Sequence, residues 1–334
     1  MSATGAPAAV GEDGKAAARL RPVLALDIGG TKLAAGVVDA SGHVLSFVVD
    51  PTLADEGPDR GLERLFELGR RAVEEAGTDW GELVAVGIGC GGPLDASRGV
   101  LIAPPHLPGW REVPVTALAE RAYGLPAALE NDATAAAAGE HRWGAGAGTQ
   151  NMIYLTISTG VGGGIVIDGR LYRGASGNGG ELGHVTVDCA GRRCNGCGRK
   201  GCLEAYVSGT SIAERAQEAG MGDVTAAQVS AAARAGDPVA TEVWDATVDA
   251  LACGLTSIVN LFEPELVVLG GGVVGGTGEQ LLGPVRDRVR KESMRPAGEA
   301  AEIVQSALGD HVGVVGAAAI GYERAVADDV RTDG

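Results

Sequence analysis

The sequence predicts an α/β protein made of two duplicated domains with a cleft between them. Its 334 residues are enough for two domains with separate cores. The segments DIGGTKLAAGVVD and STGVGGGIVID, one opening each half of the chain, share an apolar strand, a Gly/Thr turn and a second apolar strand that ends in Asp. Helical patterns follow each of these segments. A repeated strand pair followed by helices favours gene duplication, with the ligand between the two halves.

In the first half, residues 23–49 predict three strands joined by glycine turns. Residues 61–77 predict a helix because Leu62, Leu65, Leu68 and Val73 recur at helical spacing. The remaining elements are a buried strand in LVAVGIGC, a short helix in VPVTALAERAYG, a strand in LPAALEND and a helix in ATAAAAGEHRWG. The glycine-rich segment GAGAGTQ then predicts a linker at the domain boundary.

The second half opens with the strand, turn and strand of residues 151–172. Helices are predicted at 211–220 and 237–262, and the buried strand of PELVVL runs into three glycines. Helices at 280–293 and from 312 onward complete the chain. The expected organisation is therefore a tail (1–22), a small domain (23–140) completed by a C-terminal helix (312–328), and a large domain (141–311).

Charge and composition exclude several classes of partner. The net charge of −16 opposes binding to nucleic-acid phosphates and to anionic membranes. No apolar run approaches the length of a membrane span, and the first residues, which include acidic ones, make a poor signal peptide. We therefore expect a cytoplasmic protein with small-molecule partners. In that reducing compartment, clustered cysteines favour metal binding over disulfides.

Three glycine clusters at strand ends suggest that the ligand is a nucleotide phosphate. Glycine lets backbone N–H groups approach phosphate oxygens closely, and Asp27 at the end of a strand could hold Mg²⁺ through water. Each cluster alone is also compatible with an ordinary turn, and the third could bind adenine on its bare backbone. The candidate ATP-binding residues are Asp27, Gly29, Gly30, Thr31, Lys32, Thr159, Gly160, Gly163, Gly270, Gly271 and Gly272.

The tripeptide Glu130-Asn131-Asp132 supplies a candidate catalytic base, because it follows a strand and opens a helix. Asp132 could accept a proton from a substrate hydroxyl while Asn131 hydrogen-bonds a neighbouring hydroxyl. The alternative is a simple helix N-cap. The phosphate-binding clusters favour the base, since a phosphoryl acceptor must lose its proton.

Residues 181–204 (ELGHVTVDCAGRRCNGCGRKGCLE) contain all the cysteines except Cys90 and Cys253. His184, Cys194, Cys197 and Cys202 have the spacing of a tetrahedral zinc site, with Cys189 as a rival for one position. Four protein ligands would leave no open position, so the zinc would be structural. Free thiols or a disulfide are the alternatives.

These motifs together resemble the ROK family of sugar kinases and repressors. LDIGGTK, ENDATAAAAGE, ISTGVGGG, GELGH, CGRKGCLE and VVLGGG occur in the family's order, from about Val23 to the C-terminus. The resemblance implies the actin-like, hexokinase-type (ribonuclease H-like) fold with ATP and Mg²⁺ in the cleft, Asp132 as the base, and a homodimer or homotetramer. It also implies a set of sugar-binding residues: Gly91, Gly92, Asn131, Asp132, Glu181, His184 and Glu204.

The implied activity is phosphorylation of a sugar 6-hydroxyl by ATP. Glucose is the first choice, and N-acetylmannosamine, N-acetylglucosamine, mannose and fructose are alternatives. A repressor of the same family would need a DNA-binding domain ahead of the first strand; with only residues 1–22 there and an acidic chain, we expect a kinase. Two departures stand out: one residue is inserted between Cys194 and Cys197 relative to the family's C-x-C, and His106 replaces the Asn of PNLPGW.

Overall fold

The computed structural model describes residues 21–332, with side chains through residue 327. The predicted tail therefore lies almost entirely outside the described residues. The strands are Val23–Ile28 (β1), Lys32–Val38 (β2), Val44–Pro51 (β3), Val86–Cys90 (β4), Leu94–Asp95 (β5), Val100–Leu101 (β6), Ala127–Asn131 (β7), Met152–Ile157 (β8), Val161–Ile167 (β9), Arg170–Leu171 (β10), Leu266–Gly270 (β11) and Glu302–Gln305 (β12).

The strands form two five-stranded sheets with equivalent topology. The first has the order β3-β2-β1-β4-β7 and the second the order β10-β9-β8-β11-β12. In each sheet the three strands contiguous in sequence pair antiparallel, and the other two add parallel. The shared strand order confirms the predicted duplication, although β12 of the second sheet was not predicted. Strands β5 and β6 form a separate two-stranded hairpin.

All seven predicted helices are present, and four helices within residues 21–332 were not predicted: Glu204–Val207, Ala226–Arg234, Gly272–Thr277 and Ala297–Ala300. The longest of these four, Ala226–Arg234, was not predicted because its AAQVSAAAR sequence has few large apolar residues at helical spacing; the capping box of Thr225 and Gln228 at its start was the available signal. The helices are Gly57–Ala76 (α1), Val115–Tyr123 (α2), Asp132–Trp143 (α3), Glu204–Val207 (α4), Gly209–Glu218 (α5), Ala226–Arg234 (α6), Pro238–Phe262 (α7), Gly272–Thr277 (α8), Glu279–Glu292 (α9), Ala297–Ala300 (α10) and Val312–Thr332 (α11).

Helix α7 is the only helix within residues 21–332 that is long and apolar enough, by length and composition, to cross a membrane. Its apolar character has another cause, because Leu251, Leu255 and Ile258 are buried in the core of the second sheet. Core helices commonly pass a test based on composition alone. The helix is therefore weak evidence for a membrane span.

Helices α3 and α11 join the two halves. Helix α3 packs mainly on β8 and β9 of the second sheet, whereas α11 packs on β1 and β4 of the first. The two helices cross at glycines: a Cβ on Gly139 would lie 3.0 Å from Cα of Gly316, and one on Gly316 would lie 2.6 Å from the carbonyl of Ala135. The boundary predicted after residue 140 falls inside α3, so the division into 23–140 and 141–311 cuts a helix that packs on the second sheet.

Candidate active site

A narrow cavity of about 50 Å³ lies between the two halves. Asn131 and Asp132 at the end of β7 contribute its polar floor. Asn131 is the N-cap of α3: its Oδ1 accepts the N–H groups of Ala133 at 3.0 Å and Thr134 at 3.2 Å. Because Asn131 caps the helix, the carboxylate of Asp132 remains available to a ligand. The lining residues are Gly92, Leu94, Asn131, Asp132, Thr134, Gly162, Gly163, Gly177, Asn178, Gly179, Gly180 and Glu181.

Asp132 has the electrostatic character of a base. Its side chain is open to the cleft, yet protein surrounds it so closely that desolvation raises its pKa. A hydrogen bond from the N–H of Ala133 at 2.8 Å and the proximity of His106 act in the opposite direction. A raised pKa makes an ionised carboxylate a better proton acceptor near neutral pH.

A second carboxylate, Asp27, lies at the end of β1 close to Asp132. Desolvation by burial, followed by repulsion from Asp132, raises its pKa to about 7, while Lys32 acts to lower it. The start of α11 packs against it so tightly that a Cβ on Gly313 would lie 2.3 Å from its Oδ2. A hard cation reduces the electrostatic repulsion between two close carboxylates, so Asp27 fits the predicted role beside Mg²⁺.

The first glycine turn, between β1 and β2, is partly exposed. The N–H of Gly29 is used internally, because it donates to the carbonyl of Lys32 at 3.0 Å. The carbonyl of Gly29 accepts the hydroxyl of Thr52 at 2.6 Å. Thr31 and Lys32 are exposed. The turn can therefore present Thr31 and Lys32 to a phosphate while Gly29 holds its shape.

The equivalent turn between β8 and β9 borders a larger cavity of about 460 Å³. The N–H of Ser158 donates to Gly160 at 2.9 Å, and Thr159 projects toward the cavity. Gly163, predicted to contact ATP, instead lines the smaller cavity between the halves. The larger cavity is lined by Ser158, Thr159, Gly209, Thr210, Ala213, Asp223, Val224, Thr225, Ala226, Ala227, Gly272, Val273, Gly276 and Thr277.

Only one residue of the third glycine cluster, Gly272, borders the larger cavity. Gly271 has a φ of +88°, and a Cβ there would lie 2.4 Å from the carbonyl oxygen of Ile157. A Cβ on Gly270 would lie 2.8 Å from the hydroxyl of Tyr154. Gly270 and Gly271 therefore allow β11 to pack closely against β8. The segment 223–227 also lines the larger cavity. The sequence analysis did not predict this segment as part of the site, because the capping box at Thr225 was its only recognisable signal.

His184 and three of the four cysteines of residues 181–204 converge as a metal site requires. The ligand atoms of His184, Cys194, Cys197 and Cys202 all lie within 4.8 Å of one another. The Sγ of Cys194 is 3.7 Å from Nδ1 of His184, and the Sγ atoms of Cys197 and Cys202 are 3.5 Å apart. Such separations fit tetrahedral coordination of zinc by three thiolates and an imidazole. Cys189 is exposed and lies outside this group.

The metal-binding group adjoins the sugar-binding wall implied by the family resemblance. Nε2 of His184, the nitrogen not facing Cys194, is 3.9 Å from a carboxylate oxygen of Glu181. Glu204 accepts the N–H of Val161 at 2.9 Å, and its other oxygen is 3.1 Å from the Sγ of Cys194. Among the described residues that line the small cavity, Glu181 is present but Gly91, His184 and Glu204 are not.

His106 lies between the glycine turn at Gly30 and the loop that carries Gly91 and Gly92. A Cβ on Gly91 would lie 2.6 Å from Cε1 of the imidazole, and one on Gly30 would lie 2.9 Å from Cβ of His106. Burial lowers the pKa of His106, and Asp132 acts to raise it. The residue that departs from the family's PNLPGW pattern is therefore within electrostatic range of Asp132.

This chain is similar to known proteins of one family. The ROK family model matches residues 23–324. The glucokinase of Thermotoga maritima is 37% identical over 90% of this chain and 98% of its own length. Among solved structures, the ROK hexokinase from Thermus thermophilus superposes with a TM-score of 0.82 and 41% identity, covering 94% of this chain and all of that one.

A further solved structure, a ROK family glucokinase from Streptomyces griseus in complex with glucose and AMPPNP, has a TM-score of 0.76 and 35% identity over 90% of this chain and 99% of that one. These matches extend across both sheets and the cleft. They confirm the actin-like, hexokinase-type fold that the resemblance implied. The chain belongs to the ROK family of proteins.

Proposed function

We propose that the protein is an ATP-dependent hexose kinase that transfers a phosphoryl group to the 6-hydroxyl of glucose. The observation that carries this proposal is the position of Asp132. Its carboxylate, with a raised pKa, faces a polar cavity between the two halves. The glucokinase relatives and the homologous structure with glucose and AMPPNP support the same assignment.

In this proposal Asp132 accepts the proton of the 6-hydroxyl as the hydroxyl oxygen attacks the γ-phosphorus of ATP. The P–O bond to ADP breaks, and the proton leaves the site from the protonated Asp132. A positioned general base of this kind contributes about 10²- to 10⁴-fold to the rate. Asn131, fixed as the N-cap of α3, orients the sugar beside the base. Gly92 and Glu181 also line the cavity and are proposed as direct sugar contacts.

For Gly91, His184 and Glu204, the sugar contacts implied by the family resemblance remain a prediction. Glu204 already accepts the N–H of Val161, and His184 faces the metal-binding group through Nδ1. A sugar could meet His184 only through Nε2, on the side of Glu181.

ATP is proposed to lie along the second sheet. The apolar part of the larger cavity, formed by Val224, Ala226 and Val273, suits the adenine ring, and the turns at Thr31 and Thr159 face the phosphates. When bound near Asp27, Mg²⁺ would neutralise charge that develops on the phosphoryl oxygens. The carboxylate of Asp27, crowded by Asp132, fits this position.

A structural zinc ion is proposed at His184, Cys194, Cys197 and Cys202, whose ligand atoms lie within 4.8 Å of one another. A fourfold protein coordination shell leaves no position for substrate. The ion would therefore brace the chain between Glu181 and Glu204 rather than take part in phosphoryl transfer.

The experiment measures sugar-dependent ADP release with ATP and Mg²⁺ for glucose, mannose, fructose, N-acetylglucosamine and N-acetylmannosamine. Asp132→Asn should lower kcat about 10²- to 10⁴-fold, because the amide cannot accept the proton. Asp168→Asn is the matched control, since Asp168 lies in the exposed turn after β9. No sugar-dependent turnover by the wild type would refute the kinase assignment. Equal turnover by Asp132→Asn and the control would refute the base assignment.

A further inference from the structure

Arg173, in the segment after β10, makes two ion pairs that join elements of both halves. Its Nε lies 2.6 Å from Oε2 of Glu130, at the end of β7. Its Nη2 lies 2.7 Å from Oε2 of Glu323, on α11. β10 belongs to the second sheet, whereas β7 belongs to the first and α11 packs against it. One guanidinium therefore spans the junction of the two halves.

Glu130 immediately precedes the catalytic pair Asn131–Asp132, and its charge depends on Arg173. The Glu130 side chain is only 2% exposed. Burial raises its pKa, Arg173 counteracts that rise, and Glu323 adds to it. The other carboxylate oxygen, Oε1, accepts the N–H of Asn131 at 3.0 Å. An ionised Glu130 thus ties Arg173 directly to the backbone that carries the proposed base.

A further charged group near this cluster is Arg142 on α3. Burial lowers the pKa of Arg142, and Tyr322 and Glu323 act to raise it, so Arg142 and Glu323 are within electrostatic range of each other. Arg142 also lies 4.9 Å from the ring centroid of Tyr322. Arg173, whose Nε lies 2.6 Å from Oε2 of Glu130, compensates the buried charge of Glu130.

The backbone of Arg173 also shapes the wall of the sugar cavity. Its carbonyl accepts the N–H of Gly179 at 2.8 Å, which closes the loop 174–179. A Cβ on Gly179 would lie 2.8 Å from the carbonyl carbon of Arg173, so the two segments are in close contact. Gly177 and Asn178 at the far side of this loop line the cavity together with Asp132.

We infer that Arg173 is a positioning residue that aligns the loop 174–179 of one half with the catalytic segment of the other. Its side chain holds the base-bearing backbone through Glu130, and its carbonyl holds the opposing wall of the sugar cavity. This inference rests on the proposed kinase function. Arg173 contacts neither the sugar cavity nor the reacting atoms through its side chain, and it acts through Glu130.

The test compares wild type, Arg173→Met, Arg173→Lys and Arg170→Met in the full-length chain with glucose and ATP–Mg²⁺. Arg173→Met should lower kcat/KM for glucose about 10- to 100-fold, because misplacement of the base by about 1 Å has an effect of this size. The KM for ATP should change less than about twofold. Arg170→Met removes an exposed arginine of the same segment and should leave both constants within about twofold of wild type.

The pH profile distinguishes positioning from general damage. Without Arg173, burial and Glu323 together raise the pKa of Glu130 further, so the acid limb of kcat/KM should move to higher pH. Arg173→Lys keeps the positive charge beside Glu130, so its acid limb should lie at the same pH as that of wild type. Its kcat/KM for glucose should nevertheless remain below the wild-type value. In the double variant Arg173→Met with Glu130→Gln, no carboxyl remains at position 130, so the shift that arises from Glu130 should vanish.

Unchanged glucose kcat/KM in both Arg173 variants would overturn the inference and leave the kinase assignment intact. Equal losses for glucose and ATP without a shift of the acid limb would also overturn it, because they indicate general destabilisation. If Arg173→Met fails to fold, the losses for glucose and ATP and the position of the acid limb are compared between Arg173→Lys and wild type instead. Absence of turnover in the wild type would instead remove the proposed function, and the inference with it.

Discussion

Replacement of Asp27 by Asn should make the protein without Mg²⁺ and nucleotide more stable while removing kinase activity. Burial and the neighbouring Asp132 raise the pKa of Asp27 from 3.8 to about 7. The difference of about 3.2 pH units, at about 1.36 kcal/mol per unit, corresponds to about 4 kcal/mol of unfavourable free energy in the ionised form. Asn is nearly isosteric and stays neutral, so it avoids this cost.

The sign follows from the two ionisation states. Because the folded-state pKa is raised, the favourable contribution of protonated Asp27 is fully present below pH 3.8 and is lost as the pH rises through about 7. The advantage of Asp27→Asn in unfolding free energy should therefore grow by about 1.4 kcal/mol per pH unit over this interval and level off above it. A protein retains a carboxylate whose ionisation lowers its stability where its function requires the negative charge.

The assay is urea unfolding, followed by tryptophan fluorescence, at several pH values between about 5 and about 8. Asp39→Asn is the matched control, because Asp39 directly follows β2 of the first sheet. Slight burial favours a higher pKa there, but hydrogen bonds from Ser41 and His43 lower the pKa of Asp39 overall. The control should therefore lose stability at neutral pH. An Asp27→Asn advantage that does not change with pH would refute the reasoning.

Three further predictions follow from the site and the fold. Cys202→Ser should release the proposed zinc, measured by elemental analysis of the purified protein, whereas Cys189→Ser should retain it; equal metal contents would contradict the assignment. Gly87→Ala should reduce the free energy of unfolding by more than about 3 kcal/mol, measured by urea unfolding, because the added Cβ would lie 1.8 Å from the carbonyl oxygen of Ala317. His106→Asn should change the KM for glucose more than the KM for ATP, since the imidazole packs on Gly91; steady-state kinetics would contradict this if both changed equally.

Features encoded by short stretches could be predicted from the sequence. The strand pairs around the two glycine turns were predicted because alternating apolar residues and glycine turns are local signals. The same local reasoning missed α6, whose alanines satisfy helix propensity without marking a buried face. The same reasoning predicted that Gly163 contacts ATP, whereas the position of Gly163 in β9 places it at the small cavity that also contains Asp132.

The distinction between Cys194 and Cys189 as metal ligand could not be made from spacing. Both lie in the same loop, and only the folded path of residues 185–202 brings the Sγ of Cys194 to His184 and leaves Cys189 exposed. Loop conformation depends on many weak interactions that have no periodic signature. The inserted residue relative to the family pattern is accommodated within this loop.

By itself, the sequence determined the family, the duplicated strand pairs and the candidate base, because each rests on contiguous residues. Only the tertiary structure decided that His106 meets Gly30 and Gly91, and that Arg173 bridges Glu130 and Glu323. These contacts join residues far apart in the chain. Their geometry depends on how two separate sheets pack around α3 and α11, and no local pattern in the sequence records that packing.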